Sequence, residues 1–383
     1  MGTQESNNQQ ESKALWLLAC MEGNLYSVKF LLENGQDIEA TDRNGNTGLL
    51  YASHKGKANV VRFLLSKGAR TDRTTKKGFS PLSLAAKEGH LGVCKELVAN
   101  GADVYWESEN GFSPWLEACV KGHLDIVKHF VDNGQDIEAI NKKGLTGLIV
   151  ASYNGKANVV RFLLSKGARI DRSDAFGFPP FFFAAKGGHL KTCRDLVARG
   201  ADVNWELENG FSPWLAACEK GHLHIAEFFF EIGQNIEEAD SNGYTALIIA
   251  SALGKTKVVH FLLSKGARVG RTNAYGLPAL FFAAKEGHLG VCRELVAMGA
   301  DVNQESDNSS PWLEACKKGH LDIVEFFVDN GHVIKATGSD GATGLMFASR
   351  EGRTNVVHFL RSKGARTDRT NANGTIHGTG RSC

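Results

Sequence analysis

The chain has 383 residues, 42% hydrophobic and 22% charged, with a formal net charge of +2. These are globular values, so the bulk of the chain is not disordered, and so small a charge excludes both a polybasic nucleic-acid tail and an acidic solvating segment. No apolar run approaches the roughly 20 residues of a membrane span, and the opening MGTQESNNQQES has no apolar signal-peptide core, so the expectation is a soluble cytoplasmic protein to which the nucleus is also open.

In chain order, residues 1–10 are polar and expected to be disordered. From residue 11 onward the chain is written in repeats. KANVVRFLLSKGAR from Lys57 recurs letter for letter from Lys156, with near copies from Lys255 and Arg353. This 99-residue block divides by three, because Gly56, Gly89, Gly122, Gly155, Gly188, Gly221, Gly254 and Gly287 step by 33 and Gly319 and Gly352 continue after a one-residue deletion. About eleven units result, starting near 11, 43, 76, 109, 142, 175, 208, 241, 274, 307 and 340 and ending at 369. Residues 370–383 lose the period and are expected to be disordered.

NGFSPWLEACVKGHLDIVKHFVDNGQDIEAI, from Asn110, shows the unit. Asn-Gly opens a turn, Ser113 is an N-cap, and Pro114 suits a first helical position. A short helix through Cys119 breaks at Gly122. A second, from Leu124 to about Asn133, carries Ile126, Val127, Phe130 and Val131 at helical spacing, and Gly134 supplies a left-handed cap. Two cysteine series keep the same step: Cys20, Cys119, Cys218 and Cys316, then Cys94, Cys193 and Cys292. With no CxxC pair among them, they read as reduced core thiols rather than metal ligands or disulfides. Cys383 stands apart.

Period, opening turn and paired helices resemble the ankyrin repeat, and EGHLGVCKELVANGADV from Glu88 reads close to that family's consensus. The resemblance implies an all-α repeat solenoid of helix-turn-helix units with hairpin loops, stacked into an elongated curve, and a protein partner bound at hairpin tips and concave groove. One departure is systematic. The family's Thr-Pro-Leu-His opening is replaced in its fourth slot by residues such as Leu50, Leu116, Ile149, Phe182 and Met346, exchanging a polar tie for apolar contact. Trp16, Trp115, Trp214 and Trp312 fill the preceding slot and belong to the core. The last apolar slot of the second helix, Leu65, Val98 or Val131 in earlier units, becomes Arg361 in the eleventh, either a polar cap or random drift.

Candidate chemistry is sparse. LGKT at Leu253–Thr256 lacks the first glycine of a phosphate loop, and His90, His123, His189, His222, His288 and His320 each sit a repeat or more apart, as turn histidines rather than ligands. The chain is therefore expected to be no enzyme and to need no metal or cofactor. Its hairpins differ in charge: Arg70 and Arg73, Arg169 and Arg172, and Arg268 and Arg271 mark a basic kind, while Glu39, Glu138 and Glu237 belong to an acidic-leaning one. The result is bands of alternating sign, either a groove for an elongated partner or surface copied by duplication. Acidic interruptions speak against nucleic acid. Trp106 and Trp205 stand where the family has a small residue, as partner anchors or as packing on neighbouring hairpins. Lys55 and Tyr153 occupy the first-helix exit, which in the family faces the groove.

These six arginines, the two hairpin tryptophans, Lys55 and Tyr153 are the candidate partner-binding set. Gly2, in MGTQES, fits a myristoylation pattern, and Asn204 and Asn303 resemble asparagines hydroxylated in ankyrin proteins. The reading is a monomeric, non-catalytic scaffold or adaptor for a protein partner. The alternatives are a myristoylated membrane-associated adaptor and the targeting module of a larger protein.

Overall fold

A hydroxyl side chain opens most first helices. In the computed structural model, which describes residues 2–306, 309–338 and 341–366 and side chains from Glu11 onward, the Ser113 hydroxyl accepts from the Leu116 amide at 3.4 Å and Pro114 begins the helix Pro114–Lys121. Thr47 and Thr146 cap Gly48–His54 and Gly147–Tyr153 in the same way. Each satisfies an amide with no intrahelical acceptor. Gly122 then stops the helix at φ +84°, where a side chain would be strained, and the outer helix Leu124–Asp132 runs back to Asn133 and Gly134.

This pair recurs eleven times among the described residues, from Gly2–Glu22 with Leu25–Glu33 to Gly344–Arg350 with Thr354–Ser362. Extended structure there amounts to isolated bridges, such as Thr41 with Thr47, that pinch the hairpins. The fold is an all-helical repeat solenoid. It divides into two compact units, Met1–Ala184 with Lys191–Asp202, and Ala185–Leu190 with Val203–Cys383. Within each, inner helices pack on the inner helices of the neighbouring repeats and outer helices on outer ones. The first helix starts at Gly2, where disorder was expected over residues 1–10. No Gly or Pro interrupts the chain from Thr3 to Glu22, and a nucleated helix gains one hydrogen bond per added residue. The tail 370–383, with Cys383, lies outside the described residues.

The tryptophan layers are built by size matching across repeats. Trp16, Trp115, Trp214 and Trp312 are at most 1% exposed. The next repeat places Gly48, Gly147 or Gly344 against three of them; a Cβ on Gly48 would lie 2.7 Å from Cys20 Sγ and 3.1 Å from Trp16 Nε1. Where Ala246 replaces this glycine it is fully buried.

The polar tie missing from the Thr-Pro-Leu-His slot reappears in the turn. His90, His123, His222, His288 and His320 reach back one repeat, their Nε2 atoms lying 2.9–3.1 Å from the carbonyls of His54, Lys87, Lys186, Ala252 and Lys285. Each ring sits on the earlier turn glycine; a Cβ on Gly56 would lie 2.5 Å from His90 Nδ1. Bonds of this kind are worth about 0.5–1.5 kcal/mol each, and here they set the register of successive layers. The replaced slot itself is apolar and buried, as Leu50, Leu116, Ile149 and Phe182 show.

The slot of Leu65, Val98 and Val131 is shallower than its composition suggests. Leu65 is 9% exposed, Val98 and Val131 are half-buried, and Phe230 is 37% exposed. Exposed Arg361 therefore occupies a boundary position, while Val356 and Leu360 keep the last layer's interior apolar.

Seven cysteines are buried and free among the described residues. Burial pushes the thiols up, to about 12 for Cys20, Cys94, Cys193 and Cys292, and upward likewise for Cys119, Cys218 and Cys316. A thiol-reactive dye should thus label at most one cysteine, Cys383, in the native protein and all eight after unfolding; fast native labelling of two or more contradicts the packing. Gly147→Val forces methyl groups into the Trp115 layer and should lower stability by about 1–3 kcal/mol, read as a lower urea midpoint by circular dichroism.

Candidate partner-binding surface

The hairpins are linked through their backbones. The Glu109 amide donates to Lys77 O at 3.2 Å, Ala175 to Lys143 O at 3.1 Å, and Ser241 to Asn209 O at 2.8 Å. Trp106 joins this network, its indole N–H donating to Gly78 O at 2.8 Å while the residue stays 38% exposed. It is thus anchored on the neighbouring hairpin and still presents a ring edge. Trp205 is half-buried.

The arginines expected to face a partner are engaged by their own chain. Glu39 accepts from the Arg70 amide at 2.8 Å and from Arg73 Nε at 3.2 Å. Glu138 accepts from the Arg169 amide at 2.8 Å and Arg172 Nη1 at 3.5 Å, and Glu237 from the Arg268 amide at 2.8 Å and Arg271 Nη1 at 2.9 Å. The Arg70 guanidinium adds two bonds to Asp72, and Arg169 reaches Asp171. The bands of opposite sign are therefore interlocked. Each of these acidic hairpins clamps the basic one that comes after it, because the glutamate reaches an amide 31 residues on and a guanidinium 34 residues on. In the next copy Lys335 takes the glutamate's slot, and it lines a small depression with Arg366.

The exits of the first helices are partly exposed. In the first unit, Asn46, Leu50, Tyr51, His54, Thr75 and Leu84 line a depression of about 210 Å³. Tyr51 is held from behind, its hydroxyl donating to Asp42 Oδ2 at 2.7 Å. Burial pushes the Asp42 carboxyl up, yet hydrogen bonds from Asn46, Tyr51 and Asn44 outweigh it and bring the carboxyl below its ordinary value. Burial holds the His54 imidazole below its ordinary value against the opposing pull of Glu88. One super-repeat on, Tyr153 fills the slot of His54, 50% exposed, with its ring edge-on to Phe183 at 5.8 Å. Lys55 is exposed beside His54.

A family profile described as ankyrin repeats (3 copies) matches residues 16–108, 93–174, 115–206, 181–273, 214–306 and 280–371, nearly the whole chain. The chain belongs to the ankyrin-repeat family. Among solved structures, the human ASB11 ankyrin repeat domain is similar at 25% identity, over 53% of this chain and 90% of that one, with a TM-score of 0.49. No curated protein matches. Ankyrin repeats are generally protein–protein interaction modules, and the fold is typically a non-catalytic scaffold.

The remaining candidates fall at separate places in these ankyrin repeats. Asn204 and Asn303 are exposed in hairpins, the Asn303 amide donating to Asp301 at 2.8 Å, and Gly2 begins the first helix. Among the described residues no helix is long and apolar enough to cross a membrane, and no group of three or more His, Cys, Asp or Glu could hold a metal ion. Sequence reasoning placed Glu39, Glu138 and Glu237 in the acidic-leaning kind of hairpin but did not pair them with the hairpin arginines. Their signal was the fixed offset of 31 and 34 residues to the arginines of the next ankyrin repeat.

Glu237 makes the clamp testable. Burial acts to raise its carboxyl, but bonds from the Arg268 amide and both guanidinium groups outweigh this and lower it. A lowered folded value stabilises above the unfolded value of about 4.3, and that gain is lost as pH falls through the folded one. Glu237→Gln should cost about 1–2 kcal/mol at neutral pH, and the gap to the parent should close below about pH 4. Urea midpoints across pH measure it; a gap that stays constant into acid means that the carboxylate charge is not what matters.

Proposed function

We propose that the chain is a non-catalytic scaffold that receives a protein partner along the groove side of its inner helices, with hairpin tips as the second wall. The observation that carries this is the depression over Leu50, Tyr51, His54 and Leu84. It is open and partly apolar, and Tyr51 is already oriented by Asp42, so little side-chain freedom remains to be lost when a partner side chain enters. Tyr153 offers an aromatic of the type enriched at binding hot spots one super-repeat on. Trp106 adds a hairpin contact whose orientation is set by Gly78. The hairpin arginines contribute chiefly to the scaffold, since a partner would have to compete with Glu39, Glu138 and Glu237 for them.

Photo-crosslinking in the native cell tests the reading. A benzophenone side chain placed at His54 or Tyr153 should yield covalent adducts with a partner. The same group at Arg161, exposed on an outer helix, should yield about tenfold fewer or none, as expected when binding energy is concentrated at a few groove residues. Equal yields at all three positions, or adducts from Arg161 alone, would place the interface elsewhere.

A further inference from the structure

Building on the scaffold reading, we propose that the helix-turn edge of the second unit binds an extended acidic segment of a protein, with carboxylates at every third residue. The overall charge of +2 conceals a transverse separation. In this unit the turns between inner and outer helices, residues 219–224, 252–257, 285–290, 317–322 and 350–355, carry eight Lys and Arg against four Asp and Glu. Across the width of the same repeats, the hairpins at 203–210, 234–243, 267–276, 300–306 and 332–338 carry seven Asp and Glu against three Lys and Arg.

What becomes of the charges differs as well. Arg268 and Arg271, two of the three hairpin cations, are both held by Glu237. On the turn edge, Lys220, Lys285 and Arg350 pair with sequence neighbours, Glu219 at 2.7 Å, Glu286 at 3.9 Å and Glu351 at 3.2 Å, and Lys317 pairs with Glu314 of its own helix at 3.6 Å. Lys255, Lys257 and Lys318 enter no ion pair among the described residues, and Lys257 and Lys318 are exposed. Arg353 is kept at the edge by its Nε, which donates to Lys317 O at 3.0 Å, and its stem lies over Gly319. Neighbouring repeats stand about 8–10 Å apart, near one screening length at physiological salt. These cations therefore repel one another along the edge, and an anionic partner relieves that repulsion.

Spacing decides which anion fits. An extended chain in the polyproline II form has three residues per turn and rises about 3.1 Å per residue, so every third side chain lies on one face and advances about 9 Å, one repeat. Intervening side chains can then rest on the groove flank, where Leu253 is 46% exposed and Ile249, Phe282 and Phe347 are half-buried. A nucleic acid fits less well, because its closely spaced phosphates would run against Glu219, Glu286, Asp322 and Glu351 in the same turns.

Two labelled peptides of about fifteen residues, enough to span five repeats in the polyproline II form, test this on the full chain by fluorescence anisotropy. One repeats Glu-Ser-Val; the other has the same composition with its glutamates in one block. The spaced peptide should bind more tightly, weaken with salt, and lose about tenfold in affinity in Lys257→Glu with Lys318→Glu. The milder pair Lys257→Gln with Lys318→Gln should give a smaller loss in the same direction and guards against misfolding of the first. Failure of the spaced peptide to bind, equal binding of both isomers, indifference to the substitutions, or tighter binding by a single-stranded oligonucleotide overturns the proposal. Crosslinking at Tyr153 is independent of this edge, so adducts that persist in the lysine variants while the peptides fail would leave the scaffold reading intact.

Discussion

Register between layers rests on a glycine with no side chain and the group that the next repeat seats upon it. The turn glycine is required twice over, once for its positive φ and once because the next repeat occupies the space of its Cβ. His90 lies on Gly56 and His123 on Gly89, while the aliphatic stems of Lys57, Lys156 and Lys255 lie on Gly23, Gly122 and Gly221. Seated this way, a histidine reaches the carbonyl of the earlier helix end and a lysine leaves its charge at the rim. One steric fact thereby sets the stacking register, satisfies buried carbonyls and places cations along one edge.

The two long edges handle charge in opposite ways. On the hairpin side, glutamate and arginine from consecutive repeats meet as partly exposed pairs, tied more firmly than a simple surface pair because each carboxylate also accepts a backbone amide. On the turn side Lys255, Lys257 and Lys318 enter no ion pair among the described residues. A pairwise count of charges along the chain misses this, since what separates the edges is whether an opposite charge stands one repeat away at the same height.

Much of the fold was legible in the linear pattern because stacking repeats the same local conditions. The step of 33 located the left-handed turns, Ser113 and Pro114 located a helix start, and the two cysteine series marked buried slots. Side-chain roles that depend on a neighbour were less legible. Arg70, Arg169 and Arg268 looked available because their glutamates lie about thirty residues earlier. Trp106 stayed open between partner anchor and packing on a neighbouring hairpin because nothing local announces Gly78 O as its acceptor. No local feature shows that the smallness of Gly48, Gly147 and Gly344 accommodates a tryptophan and a cysteine from the repeat before. Arg361 stayed open between a polar cap and drift because hydrophobicity alone does not show that its slot is only half-covered.

By itself the sequence determined that the chain is a ladder of helix pairs, where the helices after the first start and stop, and which thiols and indoles of the repeated slots lie inside. Caps, glycine conformations and apolar periodicity act within a few residues, and they act alike in every repeat. Tertiary structure alone decided which charged and aromatic groups are occupied by their own chain and which face outward. That distinction depends on approach between side chains roughly 28 to 36 residues apart, and such distances arise from how the layers are seated rather than from the order of residues within any one of them.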